Sequence, residues 1–366
     1  MNPNVTGSSG LPPLDPNFAV SQPGSDLLWH DASQLTVEGQ GWQKEQLKRR
    51  FDRLPATAEG VVRRDVWELS RQSAGIEIRF VSDATEIGAR WTVLNQELAF
   101  DHMPATGVSG LDLYARDGQR WRWIGVGRPT QYPTNQVSLV KGVPVQGLRE
   151  FRLYLPLYNG IEQVMLGVPK GAVLQAAPAR SRLPVVVYGT SLTQGGCASR
   201  PGMAYTSILS RSLDCAVVNL GFSGNGLAEP EVAQVIAGMA TPAAFVLDQM
   251  GNVSAAMVRE RMPYFIATLR AQHPRTPIVL VENFVYQNEW LYGPDYDRSS
   301  GKNGALKEIA TPLMQHDPLV SYVCGKPLLG DDGEATVDGV HPTDLGFMRM
   351  AQTLYAPISK MLARRV

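Results

Sequence analysis

The apolar pattern of this chain changes its period once, and that change divides the chain. From Leu27 to about Gly167, short apolar runs alternate with polar residues and stop at turn signals, as in GIEIRFVSD, SGLDLYARDGQRWRWIGVG and REFRLYLPLYNGIEQVMLGV. Period two marks strands that bury one face, so this stretch predicts an all-β unit, most simply a sandwich. Asp117-Gly118, between DLYA and RWRWIG, predicts a hairpin turn. After the Pro- and Ala-rich stretch PKGAVLQAAPARSRL the rhythm becomes apolar strand, loop, amphipathic helix. PVVVYG leads to AYTSILSRSL, CAVVNLG to EVAQVIAGM, AAFVLD to AAMVRERMPYFIATLRAQ, and TPIVLVEN to GALKEIATPLMQ. That alternation predicts a parallel sheet flanked by helices. The expected divisions are a flexible tail over 1–26, rich in breakers and without periodicity, a β-sandwich over 27–168, a linker over 169–183 and an α/β unit over 184–366.

Charge and cysteine content narrow the chemistry. Lys plus Arg and Asp plus Glu both number 34, so the chain lacks the field that a nucleic acid or an anionic membrane would need. No apolar run approaches the ~20 residues of a bilayer span. Cys197, Cys215 and Cys324 are odd in number and show no CxxC spacing, which predicts neither a disulfide framework nor a zinc ribbon. No metal or cofactor is expected. The polar start has neither the basic nor the apolar segment of a secretory signal. The expectation is a cytoplasmic chain as written, or a secreted or periplasmic mature form whose signal has been removed. Six of the seven tryptophans lie before residue 124. They fit a sandwich core, or a sugar-stacking platform in which Trp121 and Trp123 share one strand face.

In parallel sheets ligands bind beyond the carboxyl ends of the strands, which here carry YGTSLTQGG, NLGFSGNG, LDQMGNVS and ENFVYQNEW. Among the five histidines only His341 has a carboxylate three residues earlier, in Asp338-Gly339-Val340-His341-Pro342. A carboxylate there can accept from Nδ1–H and leave Nε2 free to take a proton. The plainer alternative is a surface Asp and a capping His ahead of a final helix. Ser191 follows a strand through Gly189-Thr190, where a hydroxyl with a base beside it can attack a carbonyl. Gly189 to Thr193 is not a GxSxG elbow, which argues against the α/β-hydrolase class. Gly221-Phe222-Ser223-Gly224-Asn225-Gly226 can bring a backbone N–H close to a developing oxyanion, and Asn252 can offer a side-chain amide. Either one alone would be an ordinary turn. GFSGNG also lacks the glycine order of a dinucleotide loop.

Taken in order, GTSLTQG, NLGFSGNG, DQMGN and DGVHPTDLGF resemble the four blocks of the SGNH (GDSL-type) hydrolase family, from Tyr188 to about Phe347. The resemblance implies a flavodoxin-like three-layer α/β/α domain and serine ester hydrolysis without a metal. It makes Ser191 the nucleophile, His341 the base and Asp338 its orienting acid. The oxyanion hole would comprise the N–H groups of Ser191 and Gly224 and the Asn252 side chain. Two departures stand out: Thr190 occupies the place of the family's Asp, and Asn252 is followed by Val253 where an Asp is usual. SGLDLYARDG is similar to the GxDLY β-domain that precedes a subset of these hydrolases, making the first unit an all-β, jelly-roll-like sandwich. Two-domain relatives tend to deacetylate carbohydrates, so the resemblance implies a small-molecule or oligosaccharide ester as partner.

Within that reading Trp290 and Glu282, in the loop ENFVYQNEWLYGP, are expected to line the substrate cleft; the alternatives are a loop aromatic packed on the other domain and a solvated carboxylate. A lipase-like or thioesterase activity on longer acyl chains, and a non-catalytic carbohydrate-binding role, remain alternatives. Asp331-Asp332-Gly333-Glu334 reads as a solvated turn rather than a metal site. Cys197 reads as a small buried residue.

Overall fold

The structure is a computed structural model describing residues 12, 14–15, 19–21, 26–144, 147–292 and 298–364. Its first part contains β1 (Val20–Ser21), β2 (Leu27–Asp31), β3 (Thr36–Glu38), α1 (Arg64–Ser70), β4 (Glu77–Ser82), β5 (Glu86–Val93), α2 (Ala105–Val108), β6 (Leu111–Asp117), β7 (Arg120–Gly127), β8 (Thr134–Lys141), β9 (Arg149–Tyr154), β10 (Ile161–Pro169) and β11 (Leu174–Ala176). One antiparallel sheet runs β1-β2-β10-β5-β8 and the other β11-β4-β9-β6-β7, with β3 paired to β4. Alternate residues of both sheets, among them Ile78, Phe80, Trp91, Leu113, Leu153 and Leu166, meet in one buried core. The Trp91 indole N–H enters that core satisfied, donating to the Ser109 carbonyl at 2.9 Å.

Three expectations for this part change. Val20–Ser21, inside the expected tail, pairs with Leu28–Trp29, while residues 1–11, 13, 16–18 and 22–25 lie outside the described residues. The expected linker contains β11, paired with Phe80–Ser82, because three residues are too few to show an alternation. Its Arg180 also forms an ion pair with Glu77 at 2.9 Å. The stretch read as all-β includes the seven-residue helix α1, too short to display a helical period. Trp42, Leu54, Val66 and Trp67 pack on the parallel sheet and not in the sandwich.

The second part contains β12 (Val185–Gly189), α3 (Ser191–Gln194), α4 (Tyr205–Leu213), β13 (Val217–Gly221), α5 (Pro230–Ala237), β14 (Ala244–Asp248), α6 (Ala255–Gln272), β15 (Ile278–Val281), α7 (Ser300–His316), β16 (Val320–Val323) and α8 (Asp344–Arg364). The five strands are parallel in the order β13-β12-β14-β15-β16, the flavodoxin-like order. Both faces are covered, which explains why these strands read as unbroken apolar runs. Val185 and Val187 face α4 and α8, while Val186 and Tyr188 face α5, α6 and α7. Strand β16, absent from the expected pattern, is four residues long and half-buried at its centre. No helix among the described residues is long and apolar enough to cross a membrane.

The two parts share a buried cation. Arg53 donates from Nε to Gln72 O at 2.7 Å, from Nη2 to Leu69 O at 2.7 Å, and from Nη1 to Asn219 O and Gly221 O at 3.0 and 2.7 Å. Its guanidinium also lies 5.1 Å from the Phe222 ring centre. Burial pulls its pKa down to about 9, so it stays charged at neutral pH. The planar fork thereby fixes the end of β13 to the segment before β4. Arg53→Met would leave four carbonyls without this donor and is expected to cost about 3 kcal/mol or more, read from the urea midpoint. Arg53→Lys should not restore stability, because one ammonium cannot span the same fork.

A buried carboxyl group lies under the strand ends. Gly189 and Asp248 are register partners at the ends of β12 and β14. The Asp248 carboxylate accepts from Tyr205 Oη at 2.6 Å and from Thr193 Oγ1 at 3.2 Å. Burial pushes its pKa up to about 7, more than the two hydroxyl bonds pull it down. The folded chain thus keeps a proton that the unfolded chain releases near pH 4. Stability from this group therefore falls as pH rises from about 4 to 7. Thermal melts at pH 4.5, 6 and 7.5 should show wild type losing ground to Asp248→Asn across that window, by at most about 4 kcal/mol.

Candidate active site

Ser191 opens α3 directly beyond β12 and is buried. Thr190 caps the helix, its side chain accepting from Leu192 N–H at 3.3 Å. As the first helical residue, Ser191 has an N–H without an intrahelical acceptor, so that donor is available. Glycine is required two residues before it. A Cβ on Gly189 would sit 2.0 Å from Thr193 Oγ1 and 2.8 Å from Asp248 O.

The loop before α8 brings the other two predicted residues to this point. Asp338 folds back on its own turn, Oδ1 accepting from the N–H groups of Val340 and His341 at 3.0 and 2.7 Å. Its Oδ2 lies 2.7 Å from His341 Nδ1, and His341 Nε2 lies 3.0 Å from Ser191 Oγ. Partial burial works against the Asp338 carboxylate, but the His341 N–H groups and Val340 N–H outweigh it and bring its pKa down to about 2. The carboxylate is therefore charged throughout the neutral range and fixes Nδ1 as the protonated nitrogen. Nε2 then presents a lone pair to the Ser191 hydroxyl. This arrangement can draw a proton from the hydroxyl as it attacks.

The other predicted donors come from the two neighbouring strand ends. Gly224 lies at φ +68° in a turn closed by Asn225 N–H on Phe222 O at 2.8 Å, which does not use the Gly224 N–H. Space around its Cα is open. Asn252 follows β14 and accepts from Gly226 N–H through Oδ1 at 3.2 Å. With the carbonyl end of the amide held there, its Nδ2 keeps both donors free of partners among the described residues.

The remaining candidates separate. Glu282 is engaged at the sheet end: its Oε1 accepts from Tyr322 Oη and its Oε2 from Gly325 N–H at 2.7 Å, so it ties the end of β15 to β16 and the segment after it. Both of its oxygens are thus engaged by protein donors, where a place lining the substrate cleft was expected. Trp290 is 82% exposed. Its loop is joined to the loop before His341, since Gln287 Oε1 accepts from Ala335 N–H and Thr336 Oγ1 at 3.0 and 3.1 Å. Trp121 and Trp123 are not free platforms either. The Arg152 guanidinium lies 3.9 Å from the Trp121 ring centre, and Trp123 Nε1 donates to Asp112 at 2.8 Å. In the acidic run, Asp332 is bound by Arg349 through two bonds of 2.7 and 2.6 Å.

Several residues of the site escaped sequence reasoning. Gln194 holds two walls together, donating to Leu157 O at 3.0 Å and accepting from Ser223 N–H at 3.0 Å. From the β-sandwich, Tyr158 Oη donates to the Ser191 carbonyl at 3.3 Å. The His102 ring centre lies 5.5 Å from that of His341. Tyr158 and His102 come from the other domain and carry no local motif, so only the fold could reveal them, whereas Gln194 lies within the GTSLTQG block without its partners being adjacent in sequence.

Comparisons with known proteins agree with this architecture. The family model of GDSL-like lipases and acylhydrolases matches residues 182–359, and that of the GxDLY N-terminal domain of SGNH-hydrolase-type esterases matches residues 27–174. A comparison with curated protein sequences finds no match. Among solved structures, a protein described as a GDSL-like lipase from Bacteroides ovatus superposes with a TM-score of 0.86 at 32% identity, covering 92% of this chain and 98% of that one. A salicylyl-acyltransferase from a tetracycline biosynthetic pathway has a TM-score of 0.72 at 17% identity, covering 92% and 98%. An acetyl xylan esterase from Butyrivibrio proteoclasticus has a TM-score of 0.57 at 14% identity, covering 93% and 99%. The last two share the fold. With its GxDLY domain ahead of the hydrolase domain and an identity of 32% over nearly its whole length, the chain belongs to the GDSL-like (SGNH) lipase/acylhydrolase family and is an ester hydrolase.

Proposed function

We propose that this enzyme is a serine esterase that removes short acyl groups, acetyl foremost, from carbohydrate esters. The observation that carries the reading is the unbroken chain from Asp338 through His341 to Ser191, with links of 2.7 and 3.0 Å. Ser191 Oγ attacks the ester carbonyl while His341 Nε2 takes its proton. The resulting imidazolium, stabilised by Asp338, then protonates the departing alkoxide and leaves an acyl-enzyme. Water that loses a proton to His341 attacks the acyl carbon, and Ser191 departs with that proton. Negative charge on the carbonyl oxygen is met by the N–H groups of Ser191 and Gly224 and by Asn252 Nδ2, donors fixed before the reaction begins.

The carbohydrate part rests on different support. The fold is shared with an acetyl xylan esterase, and Trp290 offers an exposed aromatic face beside the loop of the base. Longer acyl chains are the second reading, favoured by the exposure of Leu291 and Tyr292, at 67% and 45%, next to Trp290.

Hydrolysis of aryl acetate, aryl octanoate and acetylated xylo-oligosaccharide tests these assignments. Ser191→Ala should lower kcat/KM by about 10³-fold or more, and Asp338→Asn by about 10²–10⁴-fold. Asn252→Ala should lower kcat by about 10²–10³-fold with little change in KM. Trp290→Ala should raise KM for the oligosaccharide and leave that for aryl acetate unchanged. Turnover that survives Ser191→Ala would overturn the catalytic assignment, and a clear preference for octanoate would replace acetyl by a longer chain.

A further inference from the structure

Beside the base lies a second constellation that ester hydrolysis does not use. His102, Cys197 and His341 each offer a ligand atom, and these atoms lie within 4.8 Å of one another. We propose that they form a zinc site through which a soft divalent cation shuts the enzyme off. The inference rests on the reading of His341 as the base.

Three features support it. The ligand set is two imidazoles and one thiol, which suits zinc better than a hard cation. A tetrahedral zinc with bonds of about 2.0–2.3 Å spaces its ligand atoms about 3.3–3.7 Å apart, so the cluster closes by adjustments of about 1 Å. His341 is already oriented as a metal ligand: Asp338 holds its Nδ1 at 2.7 Å, the carboxylate–histidine arrangement that raises the basicity of the other nitrogen.

The loops that carry His102 and Cys197 are themselves held in place. His102 sits in a two-residue turn closed by reciprocal bonds between Phe100 and Met103, each 3.0 Å. Cys197 takes the left-handed region at φ +70°, and its loop is fixed two residues later. There Ser199 N–H donates to Asp344 Oδ1 at 2.9 Å, and Ser199 O accepts from Thr106 Oγ1 at 2.6 Å. His102 is exposed, which gives the ion an approach.

On binding, the Cys197 thiol loses its proton to solvent and its sulfur bonds zinc, alongside one nitrogen from each histidine. Water fills the fourth position. The Nε2 lone pair of His341 that receives the Ser191 proton is then engaged by the metal, so acyl transfer stops while the fold is unchanged.

Zinc chloride titrated calorimetrically into the full chain should bind about one ion with release of one proton, and equally in Ser191→Ala. His102→Gln and Cys197→Ser should each weaken binding at least tenfold. Cobalt(II) in place of zinc should give a thiolate charge-transfer band that Cys197→Ser removes. In turnover of aryl acetate, zinc should inhibit wild type reversibly with a chelator, and the zinc concentration for half inhibition should rise at least tenfold in His102→Gln, each variant being compared with its own zinc-free rate. Absence of zinc binding, or binding and inhibition unchanged in His102→Gln, would overturn the proposal. Binding to Ser191→Ala tests the site whether or not the esterase assignment holds.

Discussion

A carboxylate from one half of this molecule holds the loop on which the other half builds its site. Asp112, wholly buried on β6, accepts from Arg200 Nη1 at 2.7 Å, Gly202 N–H at 2.8 Å and Trp123 Nε1 at 2.8 Å. Tyr114, two residues along, accepts from the same guanidinium at 2.6 Å. The Asp and Tyr of the GxDLY signature are thus joined through Arg200 to the hydrolase domain. An unpaired carboxylate at this depth would be costly, so the two halves cannot part without exposing or stranding it. The loop it pins runs from the end of α3 to α4. Tyr158 and Arg53 add contacts at the two neighbouring strand ends, so the sandwich forms part of the wall of the site.

The strand ends were legible in the sequence because a parallel sheet covered on both faces makes each strand an apolar run, and each run ends at its loop. PVVVYG, CAVVNLG, AAFVLD and TPIVLVEN became β12, β13, β14 and β15 with no change of order. Short elements were illegible for the opposite reason. Strand β16, strand β11 and helix α1 each have too few residues to complete a period, and their places are set by neighbours far along the chain. Trp42 and Trp67 misled for a related reason: apolar bulk says that a side chain is buried, not in which core.

Within the site, what local spacing encodes could be read and what tertiary packing supplies could not. Asp338 and His341 are three residues apart in one turn, and their contact follows from that turn alone. Ser191 reaches them across 150 residues, and only the shared strand-end geometry implied the meeting. Glu282 shows the limit of the same logic. A carboxylate after a strand was expected to face substrate, yet Tyr322 and Gly325 N–H on the next strand's exit offered it donors first. The neutral overall charge is likewise a blunt guide, since the decisive charges here are single buried ones.

The nearness of Cys197 to His341 raises the question of why a serine and not the thiol stands as nucleophile. Burial, and then the charge of Asp338, push the Cys197 thiol up to about 12, so it is protonated at neutral pH and weakly nucleophilic. Burial does most of this, and the carboxylate that orients the base acts in the same direction. Ser191 needs no such ionisation, because it gives up its proton only during attack. A cation between the imidazoles and the sulfur would reverse that balance, since its charge opposes both burial and Asp338 in setting the thiol's ionisation. The same fixed negative charge thus favours hydroxyl chemistry in the metal-free site and metal binding once a soft cation enters.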